Sequence, residues 1–441
     1  MKSKLNIWII NHYAGNLELG MEYRHFFLAK HIKNLNHKIS LISSSFHHLY
    51  TTLPQIDGLI TFQKFEGIPY GFIKTTTYKG NNVRRLINMI VFSLRLAKYY
   101  DIFEEAFGKP DIILGSSPHP FVVINLLHLK KIYKIPVIYE VRDPWPRVII
   151  ELGVLSPRNP LCLIFAYLEK KGFRKCDCVI SLWYSAHNYM FKHGLDPKRY
   201  YFLPNGIEID QNGNIYERDF SHPLVEKVQE RKRLKKFIVG YGGSHGLANP
   251  LFTIVEACNL LRERKINDIE FFLVGDGPVK EELISRAKNL SLTNIHFHDY
   301  VKKEVIMAFY DQIDVTFMGL KDLPLFRYGP TPNKLMDYMV ASKPIIWAIR
   351  SSFDPVKEAG AGISIPPDNA EKLVEAIIKL KNKSTNELAS LGVKGHCYAK
   401  FKFSYKELAK QLITLCRNCI DEKGNNLTVG SAIALIIYTL F

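Results

Sequence analysis

Lys334, Asp337 and Glu358 are the residues whose types and spacing point most directly to chemistry. They lie in the segment RYGPTPNKLMDYMVASKPIIWAIRSSFDPVKEAG, residues 327–360. A Pro-punctuated loop at 329–332 opens an amphipathic helix over 333–340 that carries Lys334 and Asp337. An apolar strand follows at 344–348, and a second polar loop runs into a one-turn helix at Pro355 that carries Glu358. Two loops thus reach one sheet edge, each ending at a helix start, where free N–H groups and the positive dipole end suit a phosphate. The lysine adds a point charge, and a carboxylate one turn on can hold sugar hydroxyls. The arrangement reads as a site for a nucleotide-linked sugar; taken alone, the segment reads more readily as an ordinary capped helix with solvated Lys and Asp.

Five further groups fall at expected strand ends. Asn11-His-Tyr-Ala-Gly-Asn16 follows the first strand, with Gly15 permitting a tight turn and His12 pointing toward a cleft. Gly115-Ser-Ser-Pro-His-Pro120 puts His119 at a helix start. A histidine can serve structure as well as catalysis, and these two are placed for either. Glu140-Val-Arg-Asp-Pro-Trp-Pro146 is a dense polar and aromatic loop that reads equally as a functional cluster or as an Arg142–Asp143 structural pair. Gly240-Tyr-Gly-Gly-Ser-His-Gly246 is a Gly-rich turn after a strand, with Asn249-Pro250 expected to cap the next helix. Its glycines, Gly242 and Gly243, would let backbone approach a pyrophosphate closely. Val274-Gly-Asp-Gly-Pro278 is a second such turn, where Asp276 would form one wall of a nucleotide-base pocket. His296 and His298 share a strand face, but no third metal ligand stands at suitable spacing, so they read as structural and no metal site is expected.

Those loops need a scaffold of alternating strands and helices, and the pattern occurs twice. Apolar runs at 5–10, 38–43, 111–114, 136–140, 178–182 and 201–203 alternate with helical patterns at 21–34, 83–106, 121–133, 161–173 and 186–193. A second series has strands at 237–241, 269–274, 295–298, 315–318, 345–348 and 362–365. Its helices fall at 251–264, 279–290, 303–312, 333–340 and 370–380. Near-continuous apolar strands flanked by helices indicate parallel sheets covered on both faces. The stretch 204–223 is rich in Gly, Pro, Asn and Asp, as a hinge requires. The expected class is α/β, two doubly wound Rossmann-like domains facing across a cleft. The expected boundaries are 1–204, 205–404, a helix at 405–426 and an apolar tail at 427–441.

Composition sets the class of partner. At 441 residues the chain is long enough for two cores. It holds 59 Lys and Arg against 42 Asp and Glu, a formal net charge of +17 that attracts phosphate-rich partners. The basic run 231–236 reads as a solvated lead-in to a strand, and no nucleic-acid-binding spacing accompanies it, so nucleic acid is not expected. Seven scattered cysteines do not form a disulfide framework, and Cys416 and Cys419 lack a second ligand pair. The N-terminus enters a strand at once, leaving no room for a signal peptide. No stretch reaches the roughly 18 apolar residues of a membrane helix. The uncharged tail at 429–441 reads as a docked or membrane-touching appendage.

Taken in order, NHYAGN…GMEYR, GSSPHP, YEVRDPWP, YFLPNGIE, YGGSHGLANPL, LVGDGP, RYGPTPNKLMDYM and EAGAGISIPP resemble the family 4 retaining glycosyltransferases of the GT-B fold, over residues 4–420. The chain is most similar to the subgroup that builds bacterial O-antigen and capsule, including N-acetyl-L-fucosamine transferases. The resemblance implies an N-terminal acceptor domain, a C-terminal nucleotide-sugar domain and a last helix that crosses back to the first. It places Gly15 near the donor phosphates, His119 beside the sugar, and the Gly242–Gly243 turn and Lys334 against the diphosphate. It assigns Asp337, the second acid of the family's Glu-x7-Glu motif, to the ribose, and Glu358 to the donor sugar. Two departures stand out. The first acid of that motif falls at Gly329, and the Arg and Lys common after the Gly-rich turn are absent from 244–249. Lys334 must then carry more of the phosphate charge, with Arg327 as its helper.

The implied reaction is metal-independent transfer from a UDP-sugar, a donor substrate with no cofactor, to a polyprenyl-diphosphate-linked glycan. It would take place at an anionic membrane surface, on the cytoplasmic face of the cell membrane. Two other classes fit the same features: a UDP-sugar 2-epimerase of the GT-B fold, and a non-catalytic basic protein that binds membrane or nucleic acid.

Overall fold

The computed structural model describes residues 3–80, 82–209 and 217–425; the tail expected at 427–441 lies outside them. The chain divides into two compact units, one up to Asn205 and again from Tyr405, the other from Gly206 to Ser404.

The first unit runs β1 (Asn6–Ile10), α1 (Arg24–Asn34), β2 (Lys38–Ser44), β3 (Ile60–Phe65), β4 (Ile68–Ile73), α2 (Val83–Lys98), α3 (Tyr100–Phe107) and β5 (Ile112–Ser117). It continues α4 (Val122–Tyr133), β6 (Val137–Val141), α5 (Arg147–Glu151), α6 (Pro160–Lys175), β7 (Cys178–Ser181), α7 (His187–Lys192) and β8 (Tyr200–Phe202). Its sheet has the order β3-β4-β2-β1-β5-β6-β7-β8 and is parallel except for the β3–β4 hairpin. Strands β1, β5, β6 and β7 are buried along their whole length, as strands covered by helices on both faces must be.

Two features here were not expected. The β3–β4 hairpin turns through Glu66 and Gly67, both at positive φ (48° and 72°), the geometry of a two-residue hairpin turn. The helix expected over 83–106 breaks at Tyr99, so that α3 lays Phe103 and Phe107 on β4 at Gly71. A Cβ on Gly71 would lie 2.6 Å from the Phe103 ring, so only glycine admits that packing.

The second unit runs α8 (Pro223–Arg233), β9 (Phe237–Gly242), α9 (Leu251–Glu263), β10 (Ile269–Val274), α10 (Lys280–Asn289), β11 (Ile295–His298), α11 (Lys303–Gln312) and β12 (Val315–Gly319). Then come α12 (Asn333–Val340), β13 (Ile345–Ala348), α13 (Pro355–Ala359), β14 (Gly362–Ser364), α14 (Ala370–Lys381) and α15 (Thr385–Lys402). The sheet is parallel, in the order β11-β10-β9-β12-β13-β14. The last helix, α16 (Tyr405–Asn425), belongs to the first unit and packs on α1, with Tyr405 stacked on Phe27.

The basic run at 231–236 is not a solvated lead-in. Arg231 and Lys232 end α8 and pair with Glu270 and Asp314, so the run ties a helix to the sheet. Burial alone would raise the Glu270 carboxyl, but hydrogen bonds from His296 and Arg231 prevail and hold it at about 2. His296, 3.0 Å from Glu270, is thus a structural partner.

Candidate functional site

Each sheet reverses its strand order at one point: between β1 and β5 in the first unit, and between β9 and β12 in the second. In open α/β sheets such points leave a crevice at the C-terminal strand ends where ligands settle. His12 and His119 follow the two strands at the first point, and the Gly242–Gly243 turn and Lys334 follow those at the second, while Asp276 follows β10 and Glu358 follows β13.

In the second unit, Lys334 sits in the first turn of α12, whose N-cap is Pro332 and makes no side-chain cap. Its Nζ donates to the Tyr241 hydroxyl and to Asn249 Oδ1, both at 2.8 Å. The residue as a whole is only partly buried, but its amine is enclosed by these partners and by Gly243. Burial pushes the amine down to about 7, and among the described residues no carboxylate pairs with it. A cation held without its own anion is a ready partner for a phosphate. Asn249 therefore does not cap α9 as its position suggested: α9 starts from Pro250 with no side-chain cap, and Asn249 holds Lys334 instead, its Nδ2 donating to the Ser244 carbonyl.

The two glycines of the turn are needed for different reasons. Gly243 has φ 149°, and a Cβ there would stand 3.3 Å from Lys334 Nζ. At Gly242 the neighbour is internal: a Cβ would lie 2.0 Å from the Tyr310 hydroxyl. The next turn packs against this one, backbone on backbone, with the Gly243 N–H bonded to the Val274 carbonyl and the His245 N–H to the Asp276 carbonyl. Asp276 is exposed and accepts from the Gly277 N–H. Beside it His245 is fully buried, neither ring nitrogen has a partner, and burial pushes it down to about 4.

Asp337 is ion-paired with Lys303 on α11, a partner that sequence reasoning missed. Glu358 is exposed, and the Tyr398 hydroxyl on α15 donates to it at 2.5 Å. The N-terminus of α13 is already occupied: the Asp354 side chain accepts from the Lys357 N–H at 2.9 Å. The dipole expected there for a phosphate is thus capped from within. Arg327 faces Asp322 at 4.0 Å. Gly329 ends a 3-10 turn at φ 77°, ψ 62°, where a glutamate would be strained.

In the first unit His12 and His119 meet. His12 Nε2 bonds Asn88 Oδ1 at 2.7 Å, while Asn88 Nδ2 donates to Thr75 and to backbone carbonyls. His12 must then donate from Nε2 and accept at Nδ1, which takes the proton of His119 Nε2 at 3.2 Å. The buried His119 Nδ1 is left as an acceptor without a partner. Burial holds both rings well below 6.5, so both are neutral near pH 7. Gly15 is required by its own loop, since a Cβ would lie 1.9 Å from the Gly20 carbonyl oxygen.

Arg142 has a nearer charge partner than Asp143, an ion pair with Glu22. Glu140 anchors a fully buried cluster: Arg24 at 2.9 Å, His25 at 3.0 Å and the Ser116 hydroxyl at 2.8 Å. Burial opposes the Glu140 charge, but Arg24 and His25 overcome it and hold the carboxyl well below its usual range. Among the described residues, no group of three His, Cys, Asp or Glu is placed to hold a metal ion.

The sequence matches Glycosyltransferase Family 4 over residues 20–211 and Glycosyl transferases group 1 over residues 225–395. The chain belongs to the family 4-like glycosyltransferases. Its fold is GT-B, as in several solved structures. Sucrose-phosphate synthase from Thermosynechococcus elongatus matches with a TM-score of 0.68 at 14% identity, covering 93% of this chain and 98% of that one. HepE from Anabaena, solved with UDP and glucose, matches with a TM-score of 0.63 at 15% identity, covering 93% and 99%. WaaG, a glycosyltransferase of lipopolysaccharide biosynthesis, matches with a TM-score of 0.62 at 13% identity, again covering 93% and 99%. No curated protein matches this glycosyltransferase in sequence.

Proposed function

We propose that this glycosyltransferase moves a sugar, an N-acetylated deoxy-amino sugar, from UDP to a lipid-linked glycan with retention of configuration. The place of this step is surface polysaccharide assembly of the O-antigen or capsule type, at the cytoplasmic face of the membrane. The observation that carries the reading is the desolvated Lys334 amine beside Gly243, which no carboxylate among the described residues neutralises. HepE, solved with UDP and glucose, supports a nucleotide-sugar donor, and WaaG supports a polysaccharide setting.

In this reading the bond between the sugar C1 and the β-phosphate oxygen breaks, and its electron pair stays on the diphosphate. Lys334 and the first turn of α12 meet the growing charge, without metal. The acceptor hydroxyl attacks C1 from the face the phosphate leaves, and its proton passes to the departing phosphate oxygen. His119, neutral and buried against His12, lines the wall beside the sugar in this reading and does not act as an acid. Glu358 holds the donor sugar and Asp337 the ribose.

Incubation with a panel of UDP-sugars in excess EDTA, with and without membrane lipid extract, tests this. Sugar should appear in the lipid fraction only when extract is present. Conversion of the free UDP-sugar to its epimer would instead show an epimerase, and turnover lost under EDTA would refute the metal-free step.

A further inference from the structure

Helices α2, α4 and α6 lie side by side on one face of the first unit's sheet, α2 packed on α4 and α4 on α6. Their inner sides close over Met89, Phe121, Phe165 and Leu168. The outer sides of α2 and α6 are also apolar, and α4 between them adds Ile124, 44% exposed, none of which packing requires. On α2, Ile87, Ile90 and Leu94 recur at helical spacing away from the core, with Leu94 64% exposed. On α6, Leu163, Ile164 and Tyr167 do the same, at 60%, 47% and 62% exposed.

Charge on the same layer is one-sided. The three helices carry four, two and four Lys or Arg residues, and their one acid, Glu169, is buried. Carboxylates bordering the layer are already paired, Asp177 with Lys130 and Glu151 with Arg147. Those of α3 (Asp101, Glu104, Glu105) sit toward the end where Tyr100 meets Tyr133. Apolar side chains face outward on the N-terminal half of α6, and Lys170, Lys171, Arg174 and Lys175 follow on its C-terminal half.

We infer that the outer face of α2, α4 and α6 docks onto an anionic lipid surface, with its apolar residues in the headgroup–acyl boundary and its basic residues among the lipid phosphates. Exposed apolar side chains clustered on one layer mark an interaction surface. Outward apolar residues interleaved with Lys and Arg are the pattern of interfacial helices. A protein partner would have to be acidic over the whole layer, whereas an anionic bilayer meets this charge uniformly. The inference deepens the lipid-linked acceptor proposed above and rests on that reading.

Flotation with phosphatidylcholine vesicles, with and without phosphatidylglycerol, tests it. Wild-type protein should float with the anionic vesicles alone, and less as salt rises. Ile87→Glu with Leu163→Glu should weaken binding at least about tenfold, since each replaces an apolar side chain with a charge of the same sign as the lipid phosphates. Lys170→Glu with Lys171→Glu should weaken it roughly fivefold or more per lysine. Thermal unfolding and UDP binding should be unchanged in each variant, which separates loss of docking from loss of fold. Three outcomes overturn the inference: no vesicle binding; binding untouched by these variants but lost in Leu435→Glu with Ile436→Glu; or a dimer in light scattering that the face variants dissociate. Transfer to a detergent-solubilised acceptor is measured in parallel. Its failure alongside intact vesicle binding would sink the proposed reaction and leave the docking face standing.

Discussion

Lys334 Nζ lies 2.8 Å from the Tyr241 hydroxyl and 4.5 Å from the centroid of the same ring. The two residues are 93 positions apart, and they tie the end of β9 to the start of α12, the helix that follows β12. The ring faces the cation and the hydroxyl accepts from it, so the amine is positioned without being neutralised.

In the proposed reaction, Lys334→Met would remove the group that meets the charge growing on the diphosphate. Turnover should fall about a hundredfold, equivalent to ~3 kcal/mol of transition-state stabilisation, and UDP affinity should weaken with it. Single-turnover rates and calorimetry measure the two separately. A variant that transfers sugar at the wild-type rate removes Lys334 from the phosphate site.

The same lysine predicts a pH effect. Burial holds it at about 7 in the free protein, and a bound diphosphate favours the charged form, so its value rises on binding. Between the free and bound values, binding takes up a proton, and UDP affinity declines as pH rises past about 7. For folding, the unfolded lysine keeps its proton up to the ordinary ammonium range. The desolvation penalty is therefore present in full below about 7 and is relieved as pH rises above it. Calorimetry in two buffers of different ionisation enthalpy reports the proton uptake, which Lys334→Met should abolish.

Glu358 should act on the sugar and not on the nucleotide. Glu358→Gln should cut transfer while UDP binds as before, and Tyr398→Phe, which removes the donor at 2.5 Å, should raise the donor KM by a smaller factor. Loss of UDP affinity in Glu358→Gln would assign α13 to the other end of the donor.

Arg24 is a stability residue. Arg24→Met would leave Glu140 fully buried with only His25 and Ser116 as side-chain partners. Breaking one side of such a pair costs on the order of 3–5 kcal/mol. Urea unfolding should show a lower midpoint, while an isolated second unit's UDP affinity provides the comparison for any indirect effect on binding.

Much of the scaffold was legible because apolar runs and helical periodicity are local. The strands at 269–274, 295–298 and 345–348 and the helices at 303–312 and 333–340 have the bounds their sequences imply. Some local signals were present and not used. Ser384 and Glu387 form a capping box, the mark of a helix start, yet α15 was not expected. His222-Pro223 opens α8 within what reads as hinge composition. The break between α2 and α3 has no such local mark, and it sets Phe103 and Phe107 against Gly71, a contact remote in sequence.

The sequence by itself determined two α/β units, the Gly-rich turns at strand ends and the lysine at a helix start, because each depends on neighbours a few positions away. Tertiary structure alone decided what those residues do to one another. Tyr241 and Asn249 reach Lys334 across 93 and 85 positions, Lys303 meets Asp337 across 34, and Tyr398 meets Glu358 across 40. His119 and His12 become one hydrogen-bonded pair only where β1 and β5 lie side by side. Protonation states follow from burial and from such contacts, and neither is a property of residue type or spacing.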